Sequence, residues 1–178
     1  MRKLLNNELE RKTVEEFRKS EKSPIVVVLD NVRSHSNIGS IFRTADAFLT
    51  RAVYLCGITA TPPHREIQKT ALGATESVEW KYYPSTNDAI QELKEAGYLI
   101  IGVEQTEGSI ELQNMQVEEG KLYALVFGNE VNGVDQEILN LCDYCIEIPQ
   151  FGTKHSFNIA ISVGIVLWEV SRGLIKTS

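Results

Sequence analysis

The sequence has few cysteines, no long hydrophobic run and no overall excess of positive charge, and each of these absences argues against a class of protein. Three cysteines, an odd number, fit a reducing compartment better than a disulfide-linked secreted domain. No run of about 18 apolar residues is free of polar breaks, and the N-terminus is charged rather than signal-like. At 178 residues the chain fits one domain that needs neither disulfide nor metal. We therefore expect one cytoplasmic domain with no membrane partner.

The net charge of −6 argues against a nucleic-acid partner, but the charge is unevenly distributed. Residues 84–150 hold two Lys or Arg against thirteen acids, a net −11. The other segments are slightly basic: residues 1–24 carry +2, residues 25–83 carry +1 and residues 151–178 carry +2. If RNA or DNA binds, we expect it to meet the first 83 residues and the C-terminus, with the acidic block facing away.

Short apolar runs alternate with helical patterns along the chain. Six runs have the length and composition of buried parallel strands: Ile25–Leu29, Ala52–Cys56, Val78–Tyr82, Tyr98–Val103, Leu122–Phe127 and Tyr144–Ile148. Helices are predicted near Asn37–Leu49, Ile67–Leu72, Ser85–Ala96, Gln136–Leu141 and Lys154–Ser171. Residues 2–22 predict a further, highly charged helix that Pro24 ends. The pattern predicts an α/β domain over residues 24–178, with a mostly parallel sheet flanked by helices, behind a short N-terminal helix at residues 1–23.

Fingerprints of the common nucleotide and metal sites are missing from the sequence. The first predicted strand is followed by DNVRSHSNIGS rather than G-x-G-x-x-G, and P-loop, zinc-finger and metalloprotease patterns are absent. Glycine-containing loops instead follow two later strands, at Phe127–Gly133 and Ile148–Gly152. A cofactor held by these loops would lie at the far end of the domain from a Rossmann nucleotide. Cys142 and Cys145 form a lone C-x-x-C, which we interpret as buried thiols rather than a metal site.

The first polar constellation is Asn37-Ile-Gly-Ser-Ile-Phe-Arg-Thr44. Asn37 is placed to cap a helix, and Gly39 lets backbone or a ligand approach closely. Arg43 follows about two turns later and suits bidentate binding of a phosphate. The alternative interpretation is a structural cap with a surface arginine.

The second constellation, Phe127–Gly133, directly follows a hydrophobic run. Its two glycines bracket Asn129, Glu130 and Asn132, so the loop can adopt positive φ and present backbone groups. Glu130, at the carboxyl end of the predicted strand, is placed for chemistry or for a salt bridge to Arg43. The alternative is a polar turn before a helix.

The third constellation is a loop, Pro149–Gly152, followed by a strongly apolar predicted helix that carries Ser156, Asn158 and Ser162. Buried polar side chains cost roughly 1–3 kcal/mol when unpaired, so these residues need partners. A buried cofactor edge or a subunit boundary would supply them. The alternative is a core helix whose serines bond to the preceding turn.

Taken in order, the three constellations resemble the motifs of one enzyme family. N-x-G-x-x-x-R-T, F-G-N-E-x-x-G and I-P-x-x-G-x-x-x-S-x-N are similar to the three motifs of the SpoU (TrmH-like) branch of the SPOUT RNA methyltransferases. The resemblance runs from Ile25 to about Leu174 and includes Thr61-Pro-Pro and Lys69-Thr-Ala-Leu-Gly-Ala74. The positions that it singles out as differing are Phe157 and Ala160, where leucine and serine or alanine are expected. We also expect no extra N-terminal RNA-binding domain of the kind that many members carry.

The resemblance implies a SPOUT fold, in which the C-terminal segment threads a loop to form a trefoil knot, and a homodimer packed partly through the last helix. It also implies S-adenosylmethionine as cofactor, held by loops that match Glu104–Thr106, Phe127–Glu130 and Ile148–Phe157. The cofactor-binding residues so implied are Glu104, Thr106, Phe127, Gly128, Asn129, Ile148, Pro149, Ser156 and Phe157. Ser162 and Gly164 are expected to face packing instead.

The reaction that the resemblance implies is methyl transfer to a ribose 2′-hydroxyl of tRNA or rRNA. Positioning should dominate such a transfer, yet the hydroxyl must lose its proton. Arg43 matches the family's proposed catalytic arginine. Because arginine stays protonated, we expect Arg43 to grip the adjacent phosphate, whose oxygen helps accept the proton. The residues expected to orient Arg43 and the cofactor are Asn37, Glu130, Ser156 and Asn158.

Candidate RNA contacts lie beside the first motif and in the segment after it. We expect His35 to line the substrate cleft, and His64, Arg65 and Lys69 to contact RNA together with Arg43. Surface decoration is the alternative for His64 and Arg65. A second class of function is a non-catalytic RNA-binding or assembly protein that retained the fold, and the joint presence of the predicted catalytic residues argues against it.

Overall fold

The computed structural model describes residues 1–5 and 8–176, and a parallel sheet of seven strands forms its centre. The strands are β1 (Ser23–Asp30), β2 (Thr50–Cys56), β3 (Glu79–Tyr83), β4 (Tyr98–Val103), β5 (Ile110–Glu111), β6 (Leu122–Phe127) and β7 (Tyr144–Glu147). They lie in the order β3-β2-β1-β6-β4-β7-β5, and each neighbouring pair is parallel. The predicted α/β class with a mostly parallel sheet is confirmed.

Helices connect these strands and cover both faces of the sheet. In the described residues they are α1 (Val14–Lys19), α2 (His35–Ala47), α3 (Arg65–Ala71), α4 (Ala74–Ser77), α5 (Thr86–Glu95), α6 (Gln136–Leu139) and α7 (Ile159–Lys176). A short 3₁₀ helix, Leu112–Asn114, follows β5. None of the described helices has both the length and the apolar character needed to cross a membrane.

The central strand β1 is buried on both of its faces. Ile25, Val27 and Leu29 pack in one core cluster with residues of α2, α3 and α7. Val26 and Val28 point the other way and pack with residues of α5 and α6. Burial on both faces explains why this strand is an uninterrupted apolar run rather than an alternating one.

Two short elements, β5 and α4, are absent from the prediction. β5 has two residues and α4 has four, which is too short for a periodic pattern to develop. β5 nevertheless extends the sheet, because Ile110 and Glu111 pair with Ile146 and Glu147 of β7. The trefoil knot that the family resemblance implies stays a prediction.

The N-terminal helix is shorter than predicted, since α1 has only six residues and begins after a capping box. Upstream of it, Glu10 has a φ of +43°, which interrupts a helix. Leu5 and Leu9 are exposed, so no burial stabilises a longer helix. Phe17 is buried in the first core cluster and attaches α1 to the domain. Residues 6 and 7 of the predicted helix lie outside the described residues.

Two helices near the predicted site begin at other residues than expected. Ser34 caps α2 in place of Asn37, whose backbone amide donates to Ser34 Oγ at 3.3 Å. α7 begins at Ile159 rather than Lys154, and Asn158 Oδ1 accepts a backbone N–H of its first turn at 2.9 Å. Because Ser34 caps α2, the side chain of Asn37 is available for other contacts.

The carboxyl ends of β1, β6, β4 and β7 lie side by side at one edge of the sheet. The chain runs outward from β1 to β2 and β3, then crosses back to β4 on the other side of β6, so the direction of winding changes between β1 and β6. Ligands of open parallel sheets bind in the crevice at such a point. The loops that follow β4, β6 and β7 therefore form the candidate site. The expectation that this site lies at the far end of the domain from a Rossmann nucleotide is wrong, because it lies at the same edge of the sheet as the end of β1.

Candidate active site

A cavity of about 320 Å³ opens between the loops after β4, β6 and β7 and the first turn of α7. Its volume lies within the range of small-molecule and cofactor sites. The lining residues come from these four segments: Val103, Glu104, Gln105, Phe127, Gly128, Asn129, Glu130, Val131, Asn132, Gly133, Glu147, Ile148, Gln150, His155, Ser156, Phe157, Ile159 and Ser162.

The loop after β6 is closed on itself by backbone hydrogen bonds. The amide of Asn129 donates to the Gly133 carbonyl and the amide of Gly133 donates to the Asn129 carbonyl, both at 3.0 Å. Asn129 Oδ1 also accepts from the amides of Val131 and Asn132, at 3.0 and 2.9 Å. A Cβ on Gly128 would lie 1.9 Å from the Gly133 carbonyl carbon, so only glycine permits this approach. The cavity wall is thus a folded loop with little freedom.

Glu130 projects from this loop towards the start of α2. Its carboxylate accepts from Asn37 Nδ2 at 3.1 Å and lies 3.4 Å from the amides of Arg33 and Ser34, near the N-terminal end of the helix. Burial would raise the pKa of Glu130, but the hydrogen bonds from its own amide, from Asn37 and from these two amides outweigh it and lower the pKa. The ionised form is therefore favoured.

A chain of side-chain hydrogen bonds joins the three sequence motifs. Asn158 Nδ2 donates to Asn37 Oδ1 at 3.1 Å, and Asn37 Nδ2 donates to Glu130 Oε1 at 3.1 Å. An ionised carboxylate can only accept, so the Asn37 amide group must turn its nitrogen towards Glu130 and leave its oxygen for Asn158. We call this chain, Asn158–Asn37–Glu130, the amide relay. It connects α7, α2 and the loop after β6 at the edge of the cavity.

Of the two alternatives for Glu130, chemistry or a salt bridge to Arg43, the structure does not form the salt bridge. Glu130 is bonded to the first turn of α2, whereas Arg43 lies six residues beyond Asn37, about 9 Å along the helix axis and on a different side of it. The side chain of Arg43 is exposed, and it forms no hydrogen bond or ion pair within the described ranges 1–5 and 8–176. Its guanidinium is therefore available to an external anion.

Most of the predicted cofactor-binding residues lie on the cavity wall. Those are Glu104, Phe127, Gly128, Asn129, Ile148, Ser156 and Phe157. Thr106 lies instead on a neighbouring cavity that shares Glu104 with the first. Pro149 is not a lining residue, although the residues on either side of it are.

Several lining residues were missed or assigned differently by the sequence analysis. Glu147 ends β7 beside Ile148, and its position at the end of a strand was the only signal available. Ser162 was expected to face packing, but it lines the cavity, because α7 starts five residues later than predicted and its first turn faces the site. Gly164 does face packing: a Cβ there would approach Thr44 of α2 to 3.9 Å.

The cavity wall combines negative charge with apolar surface. Glu104, Glu130 and Glu147 contribute carboxylates, and no Lys or Arg is among the lining residues described. Phe127 and Phe157 add aromatic surface. A cofactor that carries a positive sulfonium and an aromatic base fits this combination of groups.

Among the predicted RNA contacts, His35 and His64 lie at the N-terminal ends of α2 and α3, and Arg65 is the first residue of α3. Lys69 lies in the last turn of α3, and Arg43 lies in the C-terminal half of α2. The rings of His35 and His64 stack with centroids 3.9 Å apart and planes inclined by 12°. The Glu66 amide donates to His64 Nδ1 at 3.2 Å, and Lys69 forms an ion pair with Glu66 at 2.8 Å. Arg65 is exposed beside them. Lys69 thus already has a partner, whereas the imidazole stack presents an exposed His64 ring.

The two cysteines of the C-x-x-C are free thiols. Burial raises the pKa of the Cys142 thiol to about 12, which disfavours the thiolate that binds metal. No group of three or more His, Cys, Asp or Glu in the described part of the chain could hold a metal ion.

The chain is similar in sequence to known RNA methyltransferases. A model of the SpoU rRNA Methylase family matches residues 24–168. The chain is 33% identical over 149 residues to the 23S rRNA (guanosine-2′-O-)-methyltransferase RlmB of Neisseria meningitidis. The aligned region covers 84% of the chain and 58% of the Neisseria protein. The chain is 28% identical over 169 residues to the tRNA (guanosine(18)-2′-O)-methyltransferase of Thermus thermophilus, with 95% and 85% covered.

The fold also matches a solved structure. The AdoMet-bound rRNA methyltransferase of Sinorhizobium meliloti superposes with a TM-score of 0.80 at 30% identity, covering 88% of the chain and 59% of that protein. The chain therefore spans less than two thirds of both the Neisseria and the Sinorhizobium protein.

Proposed function

The chain belongs to the SpoU rRNA Methylase family, and we propose that it transfers a methyl group from S-adenosylmethionine to a ribose 2′-hydroxyl of tRNA or rRNA. The amide relay carries this proposal, because it brings residues of all three family motifs to one cavity edge. The names of the Neisseria and Thermus relatives, both guanosine 2′-O-methyltransferases, support the reaction class.

The cavity wall would hold the cofactor. Bound S-adenosylmethionine would supply an electrophilic methyl group. The carboxylates of Glu104 and Glu147 suit its positive charge, and Phe127 and Phe157 suit its aromatic base. The folded loop after β6 would fix the orientation, since positioning contributes most of the rate in such a transfer.

Arg43 would bind the RNA substrate beside the cavity. Its exposed and unpaired guanidinium suits a bidentate grip on the phosphate next to the reacting ribose. Arginine cannot accept the 2′-hydroxyl proton, so we assign that role to a phosphate oxygen held by Arg43. The stacked His35 and His64 and the neighbouring Arg65 would contact the same strand.

We also propose a homodimer built on α7. Three large apolar side chains recur at intervals of seven on one side of this helix: Ile161, Trp168 and Ile175 are 55%, 61% and 75% exposed. Isolated exposed apolar residues are ordinary, but a row along one helix indicates a contact surface. A second copy of the chain would cover this row. With RNA as substrate and three free thiols, we place the protein in the cytoplasm.

A methyl-transfer assay separates the enzyme from a non-catalytic RNA-binding protein. Purified chain is incubated with methyl-labelled S-adenosylmethionine and total RNA, and nucleosides are analysed by mass spectrometry. We expect a 2′-O-methylated nucleoside that is lost from RNA of cells lacking the gene. RNA binding without cofactor binding at millimolar S-adenosylmethionine would contradict the enzymatic proposal and favour the alternative.

A further inference from the structure

Asp30 is a fully buried carboxylate at the carboxyl end of β1, and it is not one of the cavity-lining residues. Its exposed fraction is 0%, and none of the ion pairs formed by the described residues involves it. Burial raises the pKa of Asp30, and hydrogen bonds from Thr86 and Asp135 oppose that shift. A buried carboxylate without a cation is costly to retain, so its hydrogen-bond partners indicate what it stabilises.

The two oxygens of Asp30 serve different parts of the fold. Oδ1 accepts from Thr86 Oγ1 at 2.5 Å and from Asn31 Nδ2 at 3.1 Å, which ties β1 to the start of α5. Oδ2 accepts from the backbone amide of Asp135 at 3.2 Å. Asp135 ends the segment that returns from the loop after β6. One oxygen therefore holds the scaffold, and the other holds the loop.

A second carboxylate, on the other side of β6, accepts a hydrogen bond from the neighbouring amide of Val134. Glu104 Oε2, at the end of β4, accepts from the amide of Val134 at 3.0 Å. β1 and β4 are the two strands that flank β6. Two consecutive amides, of Val134 and Asp135, are thus fixed by carboxylates from the two strands on either side.

These bonds determine where the cavity wall lies. Gly133 precedes the gripped pair directly and closes the loop through its two backbone bonds to Asn129. Movement of the Asp135 amide would shift Gly133 and, through it, the residues from Gly128 onward that line the cavity. If Asp30 were removed, Glu104 would still accept from the Val134 amide, but the Asp135 amide would lose its buried acceptor.

We propose that Asp30 is a positioning residue that fixes the loop after β6 through the Asp135 amide and thereby sets the affinity of the cavity for S-adenosylmethionine. The inference rests on the proposed function for the identity of the ligand. Asp30 itself touches neither cofactor nor RNA in this arrangement.

Thr86 provides a matched control, because it bonds the other oxygen of the same carboxylate. Asp30→Ala removes the hydrogen bonds to both Thr86 and the Asp135 amide, whereas Thr86→Val removes only the bond to Thr86 and keeps the side-chain shape. If Asp30 were merely structural, the two substitutions would act alike on the site. As a positioning residue, it affects the cofactor and Thr86 does not.

Isothermal titration calorimetry with S-adenosylmethionine measures the first consequence. We expect Asp30→Ala to weaken binding about tenfold, the effect of losing one buried hydrogen bond to a charged acceptor. Thr86→Val should lower the Tm yet bind within about twofold of the unaltered chain. Asp30→Asn should restore most of the affinity, since its side-chain oxygen can still accept from the Asp135 amide.

Hydrogen exchange in the absence of cofactor measures the grip directly. The amides of Val134 and Asp135 should exchange faster in Asp30→Ala than in Thr86→Val. Should Asp30→Ala fail to fold, Asp135→Pro removes the same hydrogen bond from the other side, because the φ of Asp135, −60°, already suits proline.

Equal affinity losses in Asp30→Ala and Thr86→Val, or unchanged exchange of the two amides in Asp30→Ala, would overturn the inference. Absence of cofactor binding by the unaltered chain would instead contradict the proposed function and, with it, the cofactor part of the inference. The exchange experiment still decides whether Asp30 holds the loop in that case, so the two failures are distinguishable.

Discussion

The loop after β6 and the exposed face of α2 and α3 differ in how firmly they are held. The loop is bonded to itself, to Glu104 and Asp30 behind it, and to Asn37 in front. Arg43 on the exposed face has no such contact in the described residues. A preorganised site loses little entropy when its ligand binds, whereas an exposed arginine is ordered only by its partner. Under the proposed function, the cofactor side would be built in advance and the RNA side would be completed on binding.

The largest expected effect comes from removing Arg43, which tests whether the two regions act independently. Arg43→Ala should lower methyl transfer about 100-fold or more, because the phosphate grip next to the reacting ribose is lost. The affinity for S-adenosylmethionine should change less than about twofold, since Arg43 is not one of the residues that line the cavity. Single-turnover methyl transfer and calorimetry measure the two quantities.

Arg51→Ala is the matched control, because Arg51 is likewise exposed and lies on β2, away from the three motifs. It should leave both quantities unchanged. A loss of cofactor affinity in Arg43→Ala comparable to the loss of activity would show that the two regions are not separate.

Whether the sequence predicts a feature of these two regions depends on how far apart along the chain the interacting residues are. β4 and β6 have the predicted bounds, because each is a local apolar run between polar residues. Asn37 and Asn158 were identified as site residues by their motifs, but their contact joins residues 121 positions apart. Local patterns carry no information on such a contact.

The missed parts of the site have the same origin. Asp30 is only a polar residue at a strand end in the sequence, and its bond to the Asp135 amide spans 105 positions. The wrong Arg43–Glu130 pair came from matching opposite charges without knowing the side of the helix that each faces. Charge complementarity alone does not select among partners that the fold has yet to place.

An intermediate effect is expected from breaking the amide relay, which links the firm region to α2. Asn158→Ala should reduce kcat/KM about tenfold, because Asn37 and Glu130 lose one of the bonds that orient them. Asn37→Ala should cost at least as much, since it removes both bonds of the relay. Steady-state kinetics at saturating RNA and varied S-adenosylmethionine measure kcat/KM for the cofactor in each variant.

The double variant distinguishes a relay from two independent contacts. Asn37→Ala combined with Asn158→Ala should be no worse than Asn37→Ala alone, because the shared bond is already absent. Asn140→Ala, at an exposed asparagine directly after α6, should behave as the unaltered chain. Full additivity of the two effects would rule the relay out.

The smallest effect concerns the pH dependence of stability, and it separates Glu130, a carboxylate on the loop, from Asp30, which holds the loop. The pKa of Glu130 is lowered in the folded protein, so its contribution is present above its ordinary pKa and is lost as pH falls through the folded value. The pKa of Asp30 is raised, so its contribution is present below its ordinary pKa and is lost as pH rises through the folded value. From about pH 3 to pH 6, the unfolding free energy of the unaltered chain should therefore rise relative to Glu130→Gln and fall relative to Asp30→Asn.

Urea unfolding at several pH values measures both differences, and the Glu130 difference should stay below about 1 kcal/mol because that side chain is exposed. If the two differences in unfolding free energy changed with pH in the same direction, the distinction between the exposed carboxylate of Glu130 and the buried carboxylate of Asp30 would be contradicted.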